Sequence, residues 1–376
     1  MDNSVIFPNG QLGLIVLDSI KSVGQSVDSY LVDWRYESKD EKYTFQIPNS
    51  TPRFGTGEGK CVIEESVRGK DIYILVDVCN SSISYTISGK ESYMSPDDHF
   101  QDVKRVISAI SGKARKITVI MPFLYEGRQH RRVARESLDC ALALQELVNC
   151  GVSSIITFDA HDPEVQNSIP LCDFISVRPT YQFLKAFIKN VPDAIIDNDN
   201  LLIISPDEGA MERTIFFANV IGIDVGMFYK RRDYSKIVNG RNPIVAHEYL
   251  GQPVENKDVI IFDDMVSSGD SLLDVARQLK KLKARNIYAM CPFGLFTNGM
   301  DIFDKAYEEG LISKVFTTNL VYQRPELFEK DYYVSVDLSK YIALIIDTMN
   351  KDQSITKLLN PVEKIHNLLE KYNKKN

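Results

Sequence analysis

Several short segments carry side chains able to handle phosphates, sugars and cations. The richest is V-I-I-F-D-D-M-V-S-S-G-D-S at residues 259–271. Its apolar start reads as a buried parallel strand. Asp263 and Asp264 follow at the strand's C-terminal end, where ligands bind in open α/β sheets. Two carboxylates there can accept hydrogen bonds from the vicinal hydroxyls of a ribose. The turn Ser267, Ser268, Gly269, Asp270, Ser271 then opens a helix pattern (Leu272, Leu273, Val275, Ala276, Leu279). A helix N-terminus offers unpaired N–H groups to a phosphate. The segment therefore has the parts of a ribose 5-phosphate grip.

Other strand ends add to it. In P-F-L-Y-E-G-R-Q-H-R-R (122–132), Arg128, Gln129 and His130 sit on a loop after a strand, and arginine forks suit phosphate oxygens. F-D-A-H-D (158–162) offers Asp159, His161 and Asp162 as possible donors to a divalent cation. S-P-D-E-G (205–209) offers Asp207, which reads equally well as a cation ligand or a helix cap. K-R-R (230–232) ends another strand. On an extended chain Lys230 and Arg232 point one way and Arg231 the other, a pair able to stabilise charge on a transferring phosphoryl group. In the Gly-rich R-F-G-T-G-E-G (53–59), Phe54 can stack on a purine and Glu58 can take its exocyclic amine or a neighbouring chain; a hairpin turn with a packed Phe is the other reading.

The elements that must position these residues follow from the apolar pattern. Strands are expected near 72–76, 117–121, 154–158, 201–204, 225–229, 259–262 and 286–290, with helices at 103–110, 137–150, 183–188 and 210–220. Residues 79–99 read as a long polar loop. Alternating strands and helices imply mostly parallel sheets flanked by helices. The 376 residues and 44% hydrophobic content suffice for two cores, divided near residue 170 into 1–170 and 171–350, with a helical tail at 351–376. No run is long enough to span a bilayer and no signal peptide is legible, so no membrane association is expected. Six scattered cysteines without a C-x-x-C pair fit a reducing cytoplasm. A net charge of −7 argues against nucleic acid; local basic clusters on an acidic chain fit a small polyanion.

Taken in order, these segments resemble the ribose-phosphate pyrophosphokinase family. F-G-T-G-E (54–58) is similar to its adenine loop, and E-S-V-R-G-K-D-I-Y-I (65–74) to the strand that follows. P-F-L-Y-E-G-R-Q-H-R-R resembles P-Y-x-R-Q-D-(K/R), and I-I-T-F-D-A-H (155–161) resembles I-I-T-M-D-L-H. I-S-P-D-E-G (204–209), K-R-R and F-D-D-M-V-S-S-G-D-S (262–271) resemble V-S-P-D-x-G, K-x-R and D-D-M-x-D-T-G-G-T. The likeness runs from about residue 54 to about 338, whereas a phosphoribosyltransferase would share only the last element.

The resemblance implies two phosphoribosyltransferase-like α/β domains. It implies transfer of the pyrophosphoryl group of ATP to the 1-hydroxyl of ribose 5-phosphate, with Mg²⁺ as cofactor, in a homo-oligomer (dimer or hexamer). Phe54, Glu58, Arg128, Gln129 and His130 would bind ATP, and His161 and Asp207 the metal. Lys230 and Arg232 would be catalytic; Asp263 and Asp264 would hold the ribose hydroxyls, and Ser267, Ser268, Gly269, Asp270 and Ser271 the 5-phosphate. Three positions depart from the pattern: Thr56 in the adenine loop, His130 where the family has Asp, and Asp270 where it has Gly. A carboxylate at 270 either opposes the phosphate or turns outward. Two alternatives follow: a non-catalytic regulatory paralogue, or a phosphoribosyltransferase.

Overall fold

The computed structural model describes residues 9–36, 43–110, 112–232 and 244–374. The chain forms two compact units. The first comprises residues 1–179, 319–322 and 337–360; the second comprises 180–318, 323–336 and 361–376. Each contains a sheet that is wholly or mostly parallel, as the alternating pattern leads one to expect.

In the first unit, strands Leu12–Val16, Asp71–Leu75, Lys116–Ile120, Ser154–Phe158 and Asp173–Val177 lie side by side in that order, all parallel. Asp71–Leu75 and Ser154–Phe158 are buried along their whole length, as inner strands of a sheet covered on both faces require, whereas the edge strand Asp173–Val177 is buried only at Ile175 and Val177. The helix Pro96–Ile110 begins with a reciprocal cap. The Ser95 hydroxyl accepts from Asp98 N (3.2 Å), and the Asp98 carboxylate accepts from Ser95 N (2.9 Å). Its stripe of Phe100, Val103, Val106, Ile107 and Ile110 joins the core of the sheet. The helix Ser339–Asn350 belongs to this unit although it comes late in the chain. Asn350 donates to the buried Asp71 carboxylate (2.9 Å), and Arg35 pairs with Asp347 (3.0 Å).

Residues 79–99 are not a loop. Ser84–Ile87 and Lys90–Tyr93 form an antiparallel hairpin, and the capped helix starts at Pro96. Ser88 and Gly89 join the strands with φ of 49° and 78°, the left-handed pair that a two-residue hairpin turn needs.

In the second unit the sheet order is Ile244–Leu250, Val225–Arg232, Leu201–Ser205, Asp258–Phe262, Ile287–Cys291, Lys314–Thr318, Tyr333–Val336. Only the first pair is antiparallel. From Leu201–Ser205 the chain moves to one side; from Asp258–Phe262 it moves to the other. The strand order therefore reverses between these two neighbours, and the carboxyl ends of strands at such a switch point are where α/β sheets bind ligands. The terminal helix Val362–Asn373 packs on this unit through buried Ile365 and the Tyr372 hydroxyl, which donates to the carbonyls of Pro192 and Ala194. No described helix is long and apolar enough to cross a membrane.

Candidate active site

The switch point of the second unit gathers the predicted sugar-phosphate residues. Asp263 and Asp264 leave the Asp258–Phe262 strand, and Asp264 N donates to the Asp263 carboxylate (2.8 Å). The loop is held from beneath: Phe293 N donates to Asp264 O (3.1 Å), Leu295 N to Val266 O (2.8 Å) and Thr297 N to Ser267 O (3.0 Å). Gly269 then turns the chain at φ 94° into the helix Asp270–Lys281. A Cβ at Gly269 would lie 2.3 Å from Cζ of the buried Phe303, so the turn requires glycine in both conformation and space. The helix stripe Leu272, Leu273, Val275, Ala276 and Leu279 is buried as expected.

Asp207 follows the adjacent strand, Leu201–Ser205. Its Oδ1 accepts from Gly209 N (3.0 Å) and Ala210 N (3.3 Å) at the start of helix Met211–Ile221, so it serves the turn before that helix. It also bears on the acid pair. Burial and the charge of Asp264, with a smaller contribution from Asp207, hold Asp263 well above the ordinary carboxylate range; the buried Arg213 acts in the opposite sense. Arg213 escapes the sequence reading because it is a lone cation in an apolar helical run.

Asp270 is exposed, and its carboxylate accepts the Ser268 hydroxyl at 2.8 Å. It thus takes up a donor that a phosphate at this helix start would otherwise use. Asp270→Gly is expected to lower the KM for ribose 5-phosphate roughly tenfold, the equivalent of one charge-assisted hydrogen bond. An unchanged KM in a steady-state titration of the sugar would show that the carboxylate swings aside on binding.

In the first unit, Phe54 stands 53% exposed at the tip of a tight turn. Phe54 N donates to Glu58 O (2.7 Å) and Gly57 N to Phe54 O (2.8 Å). Thr56 donates its hydroxyl to the Glu58 carboxylate at 2.9 Å, so the departure at position 56 ties down the acid two residues on. The hairpin backs this turn. Ser88 N donates to Gly55 O (2.8 Å), and Ile87 packs so closely that a Cβ at Gly57 would meet its Cδ1 at 2.4 Å. Arg53 lies over the Tyr85 ring (5.4 Å) and pairs with buried Asp102 (2.8 Å).

Arg128 is exposed on its loop. Gln129 donates its amide to Ser137 O (2.9 Å), bracing the loop from within. His130 meets Asp162 at 2.9 Å from Nδ1, and its ring stands edge-on to His161 at 5.4 Å between centroids. Burial lowers the His130 pKa, against the pull of Asp162. Asp162, one of the possible cation donors, is instead engaged behind His130 and at Glu164 N (2.8 Å). Asp159, at the end of Ser154–Phe158, is buried with φ 39°, a strained backbone of the kind that clusters at functional sites. His161 belongs to the first unit and Asp207 to the second. Lys230 and Arg232 lie in strand Val225–Arg232, whose pairing register shifts between Arg231 and Arg232; their side chains lie outside the described residues.

An acid pair and a glycine turn stand together at the switch point of the second unit. Residues 179–318 match the phosphoribosyl transferase domain, and residues 14–151 match the N-terminal domain of ribose phosphate pyrophosphokinase. The chain belongs to the ribose-phosphate pyrophosphokinase family. It is 28% identical over 291 residues to the ribose-phosphate pyrophosphokinase of Mycoplasma genitalium, covering 76% of this chain and 79% of that one. It is 25% identical over 314 residues to that of Vibrio cholerae, covering 82% and 90%. The fold is similar to phosphoribosylpyrophosphate synthetase from Mycobacterium smegmatis, with a TM-score of 0.73, 18% identity, and coverage of 91% and 99%.

Proposed function

We propose that this chain transfers the β,γ-pyrophosphoryl group of ATP to the 1-hydroxyl of ribose 5-phosphate, giving AMP and 5-phosphoribosyl 1-pyrophosphate. The observation that carries the reading is the seated loop at 263–271, with its acid pair at the switch point of the second unit. Family membership and the exposed Phe54 in its braced turn support the ATP half.

The 1-hydroxyl oxygen attacks the β-phosphorus of ATP, the bond from that phosphorus to the α,β-bridging oxygen breaks, and the hydroxyl proton is released. Asp263 and Asp264 accept hydrogen bonds from the ribose hydroxyls and so fix the attacking oxygen. The N–H groups of the 267–271 turn hold the 5-phosphate. Phe54 stacks on the adenine and Glu58 accepts from its amine, with Arg128, Gln129 and His130 as further ATP contacts. Lys230 and Arg232 neutralise charge as it shifts toward the leaving AMP.

No group of three His, Cys, Asp or Glu among the described residues could hold a metal ion. That fits Mg²⁺, which takes one or two protein donors and completes its shell with phosphate oxygens and water. His161 would offer an imidazole and Asp207 a carboxylate. When bound, the cation would screen the phosphate charges. The protein is proposed to act as a homo-oligomer, as the resemblance implies.

The test is AMP release from ATP with Mg²⁺, with and without ribose 5-phosphate. AMP and 5-phosphoribosyl 1-pyrophosphate are expected only when the sugar is present. The bond between Ser268 and Asp270 favours one second reading, a regulatory subunit. Binding of both substrates without AMP release would select it.

A further inference from the structure

The first unit holds a histidine–carboxylate contact that the phosphoryl-transfer scheme does not use. His130 replaces the family's Asp after Arg-Gln, and its imidazole is only 13% exposed. Its Nδ1 faces Asp162 Oδ2 at 2.9 Å. That carboxylate is itself fixed, because its other oxygen accepts Glu164 N at 2.8 Å as the cap of the short helix Pro163–Ser168. A carboxylate behind one ring nitrogen holds the proton there and leaves the lone pair on Nε2, the arrangement found behind metal-bound histidines. The ring of His161 stands 5.4 Å away at 84°. Two imidazoles on one ion, each with a metal–nitrogen bond of about 2.1 Å, place their ring centres roughly 5 Å apart.

We propose that His130 and His161, with Asp162 orienting His130, form a two-imidazole site that prefers a transition-metal cation such as Co²⁺ or Mn²⁺ to Mg²⁺. Magnesium favours oxygen and gives up water reluctantly, whereas imidazole suits the later divalent metals. Water and phosphate oxygens would fill coordination positions that the two imidazoles leave open. Arg131 adds positive charge near His130, so a bound polyphosphate would strengthen the site. The proposal rests on the reading of His161 as a cation ligand and adds His130 and Asp162 to it.

The test is a Co²⁺ titration of the full-length protein, followed by visible ligand-field absorption and repeated against competing Mg²⁺. The wild type should bind Co²⁺ at least about a hundredfold more tightly than Mg²⁺. His130→Ala should lose at least roughly tenfold in Co²⁺ affinity and change the spectrum, and Asp162→Asn should lose about tenfold while the chain stays folded by circular dichroism. His130→Asn serves as a milder substitution if His130→Ala misfolds. If His161→Ala abolishes Co²⁺ binding while the His130 variants keep the wild-type affinity and spectrum, the two-imidazole site is wrong and the simpler ligand role of His161 stands. If neither substitution changes binding, both fall.

Discussion

Lys230→Ala should lower kcat by about 10²–10⁴-fold, the range for removing a charge that stabilises a transferring phosphoryl group. The KM for ATP should move far less, because a group acting on transition-state charge contributes little to the ground-state complex. The backbone is compatible with this role. Lys230 lies near the end of Val225–Arg232, paired with His247 of the antiparallel Ile244–Leu250 strand, so the chain around it is fixed by a ladder. Steady-state kinetics on both substrates provide the check. Equal losses in kcat and in ATP affinity would mean that Lys230 binds nucleotide rather than driving the transfer. Arg232 invites the same experiment, and the register shift between Arg231 and Arg232 makes a different size of effect there informative.

Gly269→Ala should strip the chain of ribose 5-phosphate binding while leaving nucleotide binding largely intact. Two costs add at one atom. The backbone at φ 94° is one that a side chain occupies only with strain, of order 1–3 kcal/mol. The new Cβ would also meet Phe303 Cζ at 2.3 Å, and overpacking of this kind costs about 1–3 kcal/mol. Phe303 is fully buried and stacks edge-on against Phe296 at 5.2 Å, so the ring has little room to retreat. The loop must give way instead, and with it the N–H groups that would face the phosphate. Calorimetric titration with ribose 5-phosphate and with ATP separates the two effects. Phe303→Leu placed in the same chain should recover part of the sugar affinity by removing the atom in collision. Full sugar affinity in the single variant would show that the turn tolerates a side chain and that its glycine has no bearing on the ligand.

Much of this site is legible along the chain because its signals are local. A buried apolar run, two acids and a small-residue turn lie within residues 259–271, and the structure places them at the strand-to-helix junction they imply. Asp270 stands out in the pattern, but its partner, Ser268, is chosen only by the folded turn. The hairpin reads as a loop in the sequence because its strands, S-Y-T-I and K-E-S-Y, are short and polar. The Ser88–Gly89 turn between alternating Tyr85, Ile87 and Glu91, Tyr93 was the signal available. His130 and Asp162 lie 32 residues apart on different loops. No periodicity links such a pair; only the parallel pairing of Lys116–Ile120 with Ser154–Phe158 brings their two loops to the same sheet edge. Strand Ile244–Leu250 owes its place to pairing with Val225–Arg232, which no local pattern in the sequence announces.

The brace behind the Phe54 turn has a thermodynamic consequence. Fixing the backbone of one residue costs about 1–2 kcal/mol of conformational entropy, and a free loop would incur that at the moment it closed on a ligand. Here Ile87, Ser88 and Tyr85 hold Gly57, Gly55 and Arg53 before any ligand arrives. The ordering is completed during folding, so if Phe54 stacks on adenine as proposed, the entropy of ordering that turn is met by the fold and not by the binding step.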